Sequence, residues 1–225
     1  GISCDGAGYG TDGNVWGGEL LHCTENGRIF GRRGHLQEHP MPGGDLAALY
    51  PLRMFGGLLH RDLGVAERLL RSKSSHFSHG EAEVDIVIKQ LRSGRSPLTS
   101  SCGRVLDAVS SLLGICYERS YEGEPAMKLE AVSLTGSNKL NLKPEINNEK
   151  IIRTDNLVMA IIDNMKGLSI HDLAFSAEEY IARSLGELAV REAARLGVKH
   201  IGFTGGVAYN NHISRTIQKA VSSQG

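Results

Sequence analysis

Val198-Lys199-His200-Ile201-Gly202-Phe203-Thr204-Gly205-Gly206-Val207-Ala208-Tyr209-Asn210 is the stretch that sets the fold class. Val198 to Phe203 is a short apolar run suited to a buried strand, Gly205-Gly206 makes a tight loop, and helical spacing resumes over Asn211 to Val221. Upstream, Ser169 to Leu196 reads as a long helix. The Ser169 hydroxyl is placed to pair with Asp172 in a variant of the capping box, and Gly197 supplies the stop. Helix, strand, glycine loop, helix is an α/β unit. In such a unit, free N–H groups and the positive end of the following helix point at whatever lies beyond the strand, a place suited to an anion.

A second glycine-rich stretch lies at the front, Asp5-Gly6-Ala7-Gly8-Tyr9-Gly10, where a carboxylate heads a loop whose backbone can approach phosphate oxygens closely. Taken alone, those residues fit equally a glycine-rich hairpin with Asp5 in an Asx-turn. Two such loops together point to a nucleotide clamped between them. Between the loops, Val15 to Cys23 reads as a strand, with Arg28 to Phe30 pairing across Asn26-Gly27. Asp45 is placed to cap a short helix through Leu46, Ala47 and Leu49 that Pro51 would stop. Asp62 to Arg71 and Ala82 to Leu91 are helical, with a polar Ser, Lys and His loop between them. Ser100 or Ser101 would cap a helix whose Val105, Leu106, Val109, Leu112 and Leu113 form an apolar stripe, ended by Gly114, with Asp107 off that stripe. Ser137 to Lys150, with Pro144 and four asparagines, reads as an exposed connector or a pair of short edge strands and is the best internal boundary. Leu157 to Met165 is helical again.

Length and composition narrow the function. At roughly 150 residues per domain, 225 residues allow one large domain or two small ones. The 25 basic and 25 acidic residues balance, so no charge surplus recommends nucleic acid or an anionic membrane as partner. The 28 glycines are well above the usual share, while aromatics make up only 5%. Cys4, Cys23, Cys102 and Cys116 show no C-x-x-C spacing and read as four reduced thiols. No apolar run is long enough to span a bilayer and no signal segment is visible, which makes a cytoplasmic location the default. The chain enters its first glycine stretch with no residues left for a presenting strand, and stops inside or just after its last helix. A fragment cut at both ends is expected.

Six blocks in order then carry a family resemblance: Asp5 to Glu19 (DGAGYGTDGNVWGGE), Leu36 to Asp45 (LQEHPMPGGD), Pro51 to Met54 (PLRM), Thr99 to Val109 (TSSCGRVLDAV), Tyr121 to Glu130 (YEGEPAMKLE) and Thr204 to Asn210 (TGGVAYN). The chain resembles the C-terminal catalytic domain of the hydrogenase-maturation carbamoyltransferases, a domain similar to the tRNA threonylcarbamoyl-adenosine synthase within the actin-like ATPase superfamily. The resemblance implies an actin-like, ribonuclease H-like bilobal α/β fold, incomplete here, with a helical middle portion. Residues 1–60 would be strand-rich and hold the first glycine loop. Residues 61–150 would be mainly helical with ribose-side residues, and 151–225 would hold helices, a strand and the second loop.

The implied chemistry is transfer of a carbamoyl group from carbamoyl-adenylate, made from ATP and carbamoyl phosphate, to the C-terminal cysteine of a partner maturation protein, on the way to the cyanide ligands of nickel-iron hydrogenases. By similarity, Gly6, Gly8, Asp107, Gly123, Gly205, Gly206 and Asn210 would meet the nucleotide. No catalytic residue is assigned. Asp5 matches a family metal ligand, for zinc or iron in the complete protein. The family's His-rich motif before it and Asn-Asp-Gly-Gly block after the last helix are not in this chain, so the fragment is expected to hold the metal weakly or not at all. Glu124 departs from the family, which often carries Gln there.

Plainer readings stand beside these. Asp107 could be a solvated helix residue near Arg104, and Asn210 only a helix cap. Trp16 reads as hairpin packing, and His35, His39, His76 and His79 read as surface residues. Two other functions share the motifs: a sugar-kinase-like ATP-dependent phosphotransferase, and a nucleotide-binding or partner-docking module without activity of its own.

Overall fold

The computed structural model describes residues 1–23, 26 and 29–223. A seven-stranded mixed sheet is the frame on which the rest packs. β1 (Ile2–Tyr9) pairs antiparallel with β2 (Val15–Cys23), and β2 pairs antiparallel with β3 (Ile29–Leu36). Four two-residue strands complete it: β4 (His39–Pro40), β5 (Leu98–Thr99), β6 (Ile151–Ile152) and β7 (Phe203–Thr204). The order runs β4-β5-β2-β1-β7, and β3 pairs with both β2 and β6. The expected Asn26-Gly27 turn falls largely outside the described residues, but the strands flanking it pair as expected.

Two strand expectations are corrected. Ile2 to Cys4 do form a presenting strand, so the first glycine stretch is no free loop: it lies inside β1. The β1–β2 register slips between Cys4 and Gly8, a bulge that takes Asp5 to Ala7 out of the ladder. The buried strand expected over 198–203 shrinks to β7, an edge strand with Phe203 half-buried and Thr204 exposed. Only Ile2 and Ser3 of β1 stand in parallel register with it, so the rest of the run has no partner to make it a strand.

Nine helices are described: α1 (Asp45–Leu49), α2 (Pro51–Leu58), α3 (Leu63–Ser72), α4 (Gly80–Ser93), α5 (Cys102–Leu112), α6 (Glu124–Ser133), α7 (Asp155–Asn164), α8 (Ile170–Leu196) and α9 (Asn211–Ser222). Four of them, α3, α5, α8 and α9, start where a side chain satisfies an orphan N–H. Asp62 Oδ1 accepts from Val65 N at 3.0 Å, Ser101 Oγ from Arg104 N at 3.1 Å, and Ser169 Oγ from Asp172 N at 3.1 Å. Two starts differ from expectation. Gly44, not Asp45, is the N-cap of α1, and Pro51 opens α2 at its first position, where its missing N–H has no bond to lose. The Ser137 to Lys150 connector runs along α8, with Ser137 N and Oγ donating to Asp172 and the Lys139 and Leu140 N–H groups donating to Ser176 Oγ. It contributes a single bridge, Ile146 to Ile152.

α5 is the centre of the molecule. All eleven of its residues are buried, against β1 and β2 on one side and α2 and α6 on others. A helix covered all round needs small residues where its neighbours come close. Gly103 answers that need, because a Cβ there would come within 2.9 Å of Gly6 Cα. Val105, Leu106 and Val109 each contribute about 1.5–3 kcal/mol by leaving water. The apolar stripe was legible, but Asp107 opposite it faces protein, not solvent.

Candidate functional site

A cleft of about 480 Å³ opens where the β1 bulge, the first turn of α5, the start of α6 and the Gly206–Tyr209 turn converge. Asp5, Gly6, Asp107, Gly123, Gly206 and Asn210 all line it. These residues span nearly the whole chain, and the fold brings them to one place. Gly8 and Gly205 are not in the lining. Gly8 sits over the Trp16 carbonyl, and Gly205 packs against the Cys4 backbone directly behind Gly206. Residues to which no role was given also line the cleft, among them Gly103, Arg104, Glu122, Glu130 and Tyr209. All five lie inside quoted blocks, Thr99 to Val109, Tyr121 to Glu130 and Thr204 to Asn210, which was the available signal.

The electrostatics centre on α5. Asp107 is 1% exposed and Arg104 is 4% exposed. Arg104 Nη2 lies 3.0 Å from Asp107 Oδ2 as an ion pair; beyond that pair the Asp107 oxygens and Nε and Nη1 of Arg104 are shut away from solvent and short of hydrogen bonds. Burial pushes the Asp107 carboxyl up to about 6, partly opposed by Arg104, Arg119 and the Ala126 backbone N–H. The solvated reading of Asp107 is therefore replaced by a buried acceptor at the cleft wall. Buried polar groups are nearly always satisfied, so unpaired ones at a cavity mark a place where a ligand supplies the partners.

Other residues are already engaged. The Gly6 N–H is not free for a phosphate, because it donates to Asp5 Oδ1 at 2.7 Å. Glu124 takes the Ser120 N–H and hydroxyl and pairs with Lys128 at 2.7 Å; the Lys128 bond and then the Ser120 bonds hold it down to about 2, and it is absent from the cleft lining. Asn210 is both cap and lining residue. Its Oδ1 accepts from Ile213 N at 2.9 Å, and its Nδ2 donates at 2.7 Å to Glu178, a fully buried carboxylate.

The family model described as Carbamoyltransferase, Kae1-like Domain, second subdomain matches residues 1–225. The chain belongs to the HypF carbamoyltransferase family. It is 39% identical over 225 residues to the probable carbamoyltransferase HypF of Methanocaldococcus jannaschii, covering all of this chain and 29% of that protein. It is 29% identical over 248 residues to HypF of Synechocystis sp., covering all of this chain and 30% of that one. The crystal structure of T. kodakarensis HypF superposes with a TM-score of 0.88 at 39% identity, over 99% of this chain and 30% of that one. Full-length HypF in its phosphate- and nucleotide-bound form superposes at 0.86 with 29% identity, over 100% and 29% respectively. The fold is thus the actin-like, ribonuclease H-like α/β fold of HypF. The chain spans about three tenths of the length of these relatives.

Among the described residues of this HypF chain, no group of three or more His, Cys, Asp or Glu side chains is placed to hold a metal ion. Asp5 lines the cleft without such companions, so the residues present do not by themselves fit a zinc or iron centre. The histidines divide. His76 and His79 are exposed, with His76 stacked on Tyr117. His39 corrects the surface expectation: it is fully buried, with Nε2 2.7 Å from Thr154 Oγ1, and burial followed by the neighbouring His60 holds it down to about 3, so it stays neutral. Trp16 is half-buried; its Nε1 donates to the Asp12 carboxylate, and Arg32 stacks on its ring 4.4 Å from the centroid. All four cysteines are unpaired. No described helix is long and apolar enough to cross a membrane.

Behind Asn210, His212 bridges Glu178 at 3.1 Å and Glu179 at 2.9 Å. Burial would lower it, but the bonds to Glu178 and Glu179 outweigh burial and push it to about 9. A raised histidine stabilises the fold fully below its unfolded value of about 6.5, and that contribution is lost as pH climbs to about 9. Up to about 3 kcal/mol of stability is expected to disappear over that window. Urea midpoints at several pH values will show the decline, and His212→Gln will flatten it; an equal decline in the variant would reject this origin.

Proposed function

We infer that this chain supplies the cleft in which a carbamoyl group passes from carbamoyl-adenylate to the C-terminal cysteine of a partner hydrogenase-maturation protein. The observation that carries this is the buried Asp107 carboxylate, ion-paired only with Arg104, at the wall of a cavity shared with Gly206, Asn210 and Gly123. A cavity of this volume lies within the range for small-molecule sites. A carboxylate suits a ribose diol because it accepts two hydrogen bonds. Gly206 and Gly123 let the ligand approach the backbone, and Asn210 adds an amide at the same wall. The partner's thiolate sulfur attacks the carbamoyl carbon, forming the S–C bond. The bond from that carbon to the phosphate oxygen breaks, and AMP leaves with the electron pair.

The carbamoyltransferase membership of the family and the nucleotide in one full-length HypF structure support this reading. ATP use, carbamoyl phosphate as donor, a zinc or iron ion held with residues beyond these 225, and a cytoplasmic setting belong to the same proposal. The test uses the full-length protein with ATP, carbamoyl phosphate and the cysteine-bearing partner. One AMP released per thiocarbamate formed is expected. Release of ADP with phosphorylation of a hydroxylated acceptor would reject carbamoyl transfer in favour of a kinase-like reaction.

A further inference from the structure

One carboxylate outside the cleft is tied to its wall. Glu178, on α8, is fully buried and is not a lining residue, yet its two oxygens take three hydrogen bonds. Oε1 accepts from Asn210 Nδ2 at 2.7 Å, while Oε2 accepts from Ser133 Oγ at 2.6 Å and from His212 Nδ1 at 3.1 Å. Asn210 lines the cleft, and Ser133 is the last residue of α6, which the second bond fastens to α8. His212 supplies a counter-charge. Its other nitrogen meets Glu179 Oε2 at 2.9 Å, and a ring facing a carboxylate oxygen at each nitrogen donates from both, which only the imidazolium can do.

Packing alone does not ask for a carboxylate at this place, since apolar groups of similar volume commonly replace buried ionic ones without loss of stability. What the carboxylate adds is direction. Asn210 Oδ1 is already claimed as the cap of α9, accepting from Ile213 N at 2.9 Å, and a carboxylate can only accept, so the group turned to Glu178 must be the NH2. A glutamine at 178 would lack that compulsion, because it offers a donor as well as an acceptor. Asn210 Nδ2 carries two hydrogens and Glu178 takes one. Among the described residues nothing takes the other, which leaves it as the donor this lining residue holds for a ligand.

We propose that Glu178 is a positioning residue for the cleft: it fixes the Asn210 amide so that one Nδ2 hydrogen is presented to an acceptor atom of the bound nucleoside. This rests on the nucleotide reading above and adds to it a residue that never touches the ligand. Asn210 makes the contact, and Glu178 sets its direction.

Calorimetric titration of the full chain with adenosine, run as a double-mutant cycle, tests the assignment. Glu178→Gln should bind adenosine about threefold to tenfold more weakly than wild type, the worth of one neutral hydrogen bond. Asn210→Ser keeps a capping oxygen but no amide, and should lose the same factor. The double variant should lose no more than either alone, because Glu178 acts only through Asn210. In protein with isotope-labelled asparagine side chains, adenosine should shift the Asn210 amide resonances of wild type and leave those of Glu178→Gln unmoved, a signature that a merely structural role would not change. Ser133→Ala separates stability from affinity. It strips one bond from the same carboxylate but spares the bond to Asn210, so its urea midpoint should fall while adenosine affinity stays at the wild-type value. Glu178→Asp, which withdraws the acceptor by one methylene, carries the same prediction if the Gln variant does not fold. Additive losses in the double variant, or wild-type affinity in a folded Glu178 variant, would overturn the proposal and leave the nucleotide reading standing. Wild type that does not bind adenosine refutes both.

Discussion

Adenosine affinity of the full chain is expected to fall about tenfold for each pH unit below 6 and to be flat above about 7. The sign follows from Asp107. Burial lifts its carboxyl to about 6, and only the ionised form offers both oxygens to a ribose diol. As pH drops below that value, the binding-competent fraction shrinks in proportion to proton activity, and apparent affinity shrinks with it. Adenosine is the ligand to use, because a phosphate monoester titrates near the same pH, with a second pKa of about 6. Asp107→Asn should lose about two to three orders of magnitude in affinity, the worth of one or two hydrogen bonds to a charged acceptor, and its residual binding should show no pH dependence. Because the change also strips Arg104 of its counter-charge, a ligand-side control is needed. Removing the ribose hydroxyls, with 2′,3′-dideoxyadenosine, should cost wild type the same factor yet leave the asparagine variant nearly unaffected, the non-additivity expected of direct partners. A flat wild-type profile from pH 5 to 8, or a full hydroxyl effect in the variant, would remove Asp107 from the ribose.

How much of this was legible depends on how local each cause is. The cap at Ser169, the stop at Gly197 and the 27-residue α8 between them were readable because capping is decided within four residues. β2 was readable at both ends because turn residues bound it. Pro51 ends α1 as expected, but α2, which it opens, went unread, because a proline that forbids one helix interior can start the next and the packing of α2 on α5 is a tertiary fact. The 198–203 run failed as a buried strand because strand length is set by the partner, and β1 offers it two residues. The cleft divides in the same way. Of the residues the family blocks grouped, Asp5, Gly6, Asp107, Gly123, Gly206 and Asn210 line one cleft while Gly8 and Gly205 do not, a grouping no spacing argument could have made across such separations. Arg104 escaped notice because a basic residue three positions before Asp107 looks like an ordinary surface pair. Its burial comes from β1, β2, α2 and α6 closing around α5, a tertiary fact with no local signature. His39 was misplaced for the same reason.

Gly205→Ala is expected to cost about 3–5 kcal/mol and to abolish ligand binding, whereas Gly206→Ala, one position on, should cost no more than about 1 kcal/mol. The two glycines look alike in Thr204-Gly205-Gly206-Val207, but their surroundings differ. Gly205 sits at φ 99° and ψ 173°, a region closed to residues with a Cβ, and that strain alone accounts for roughly 1–3 kcal/mol. The added methyl would also overlap the Cys4 carbonyl oxygen and lie 2.7 Å from its carbon, atoms of the β1 backbone that cannot swing aside like a side chain. Relief requires β1 to shift where its bulge begins, and the bulge carries Asp5 and Gly6 into the cleft. At Gly206 the nearest atom to a new Cβ is Asp5 Oδ1 at 3.3 Å, the movable end of a side chain, and the backbone is not in the left-handed region. Urea denaturation of the two variants beside Gly202→Ala, whose Cβ would meet nothing within 4 Å, should order them with Gly205→Ala far below the other two. Stability of Gly205→Ala within about 1 kcal/mol of Gly206→Ala would mean that β1 yields without cost, and the rigid seating of the bulge beside α5, which shapes the cleft wall, would have to be given up.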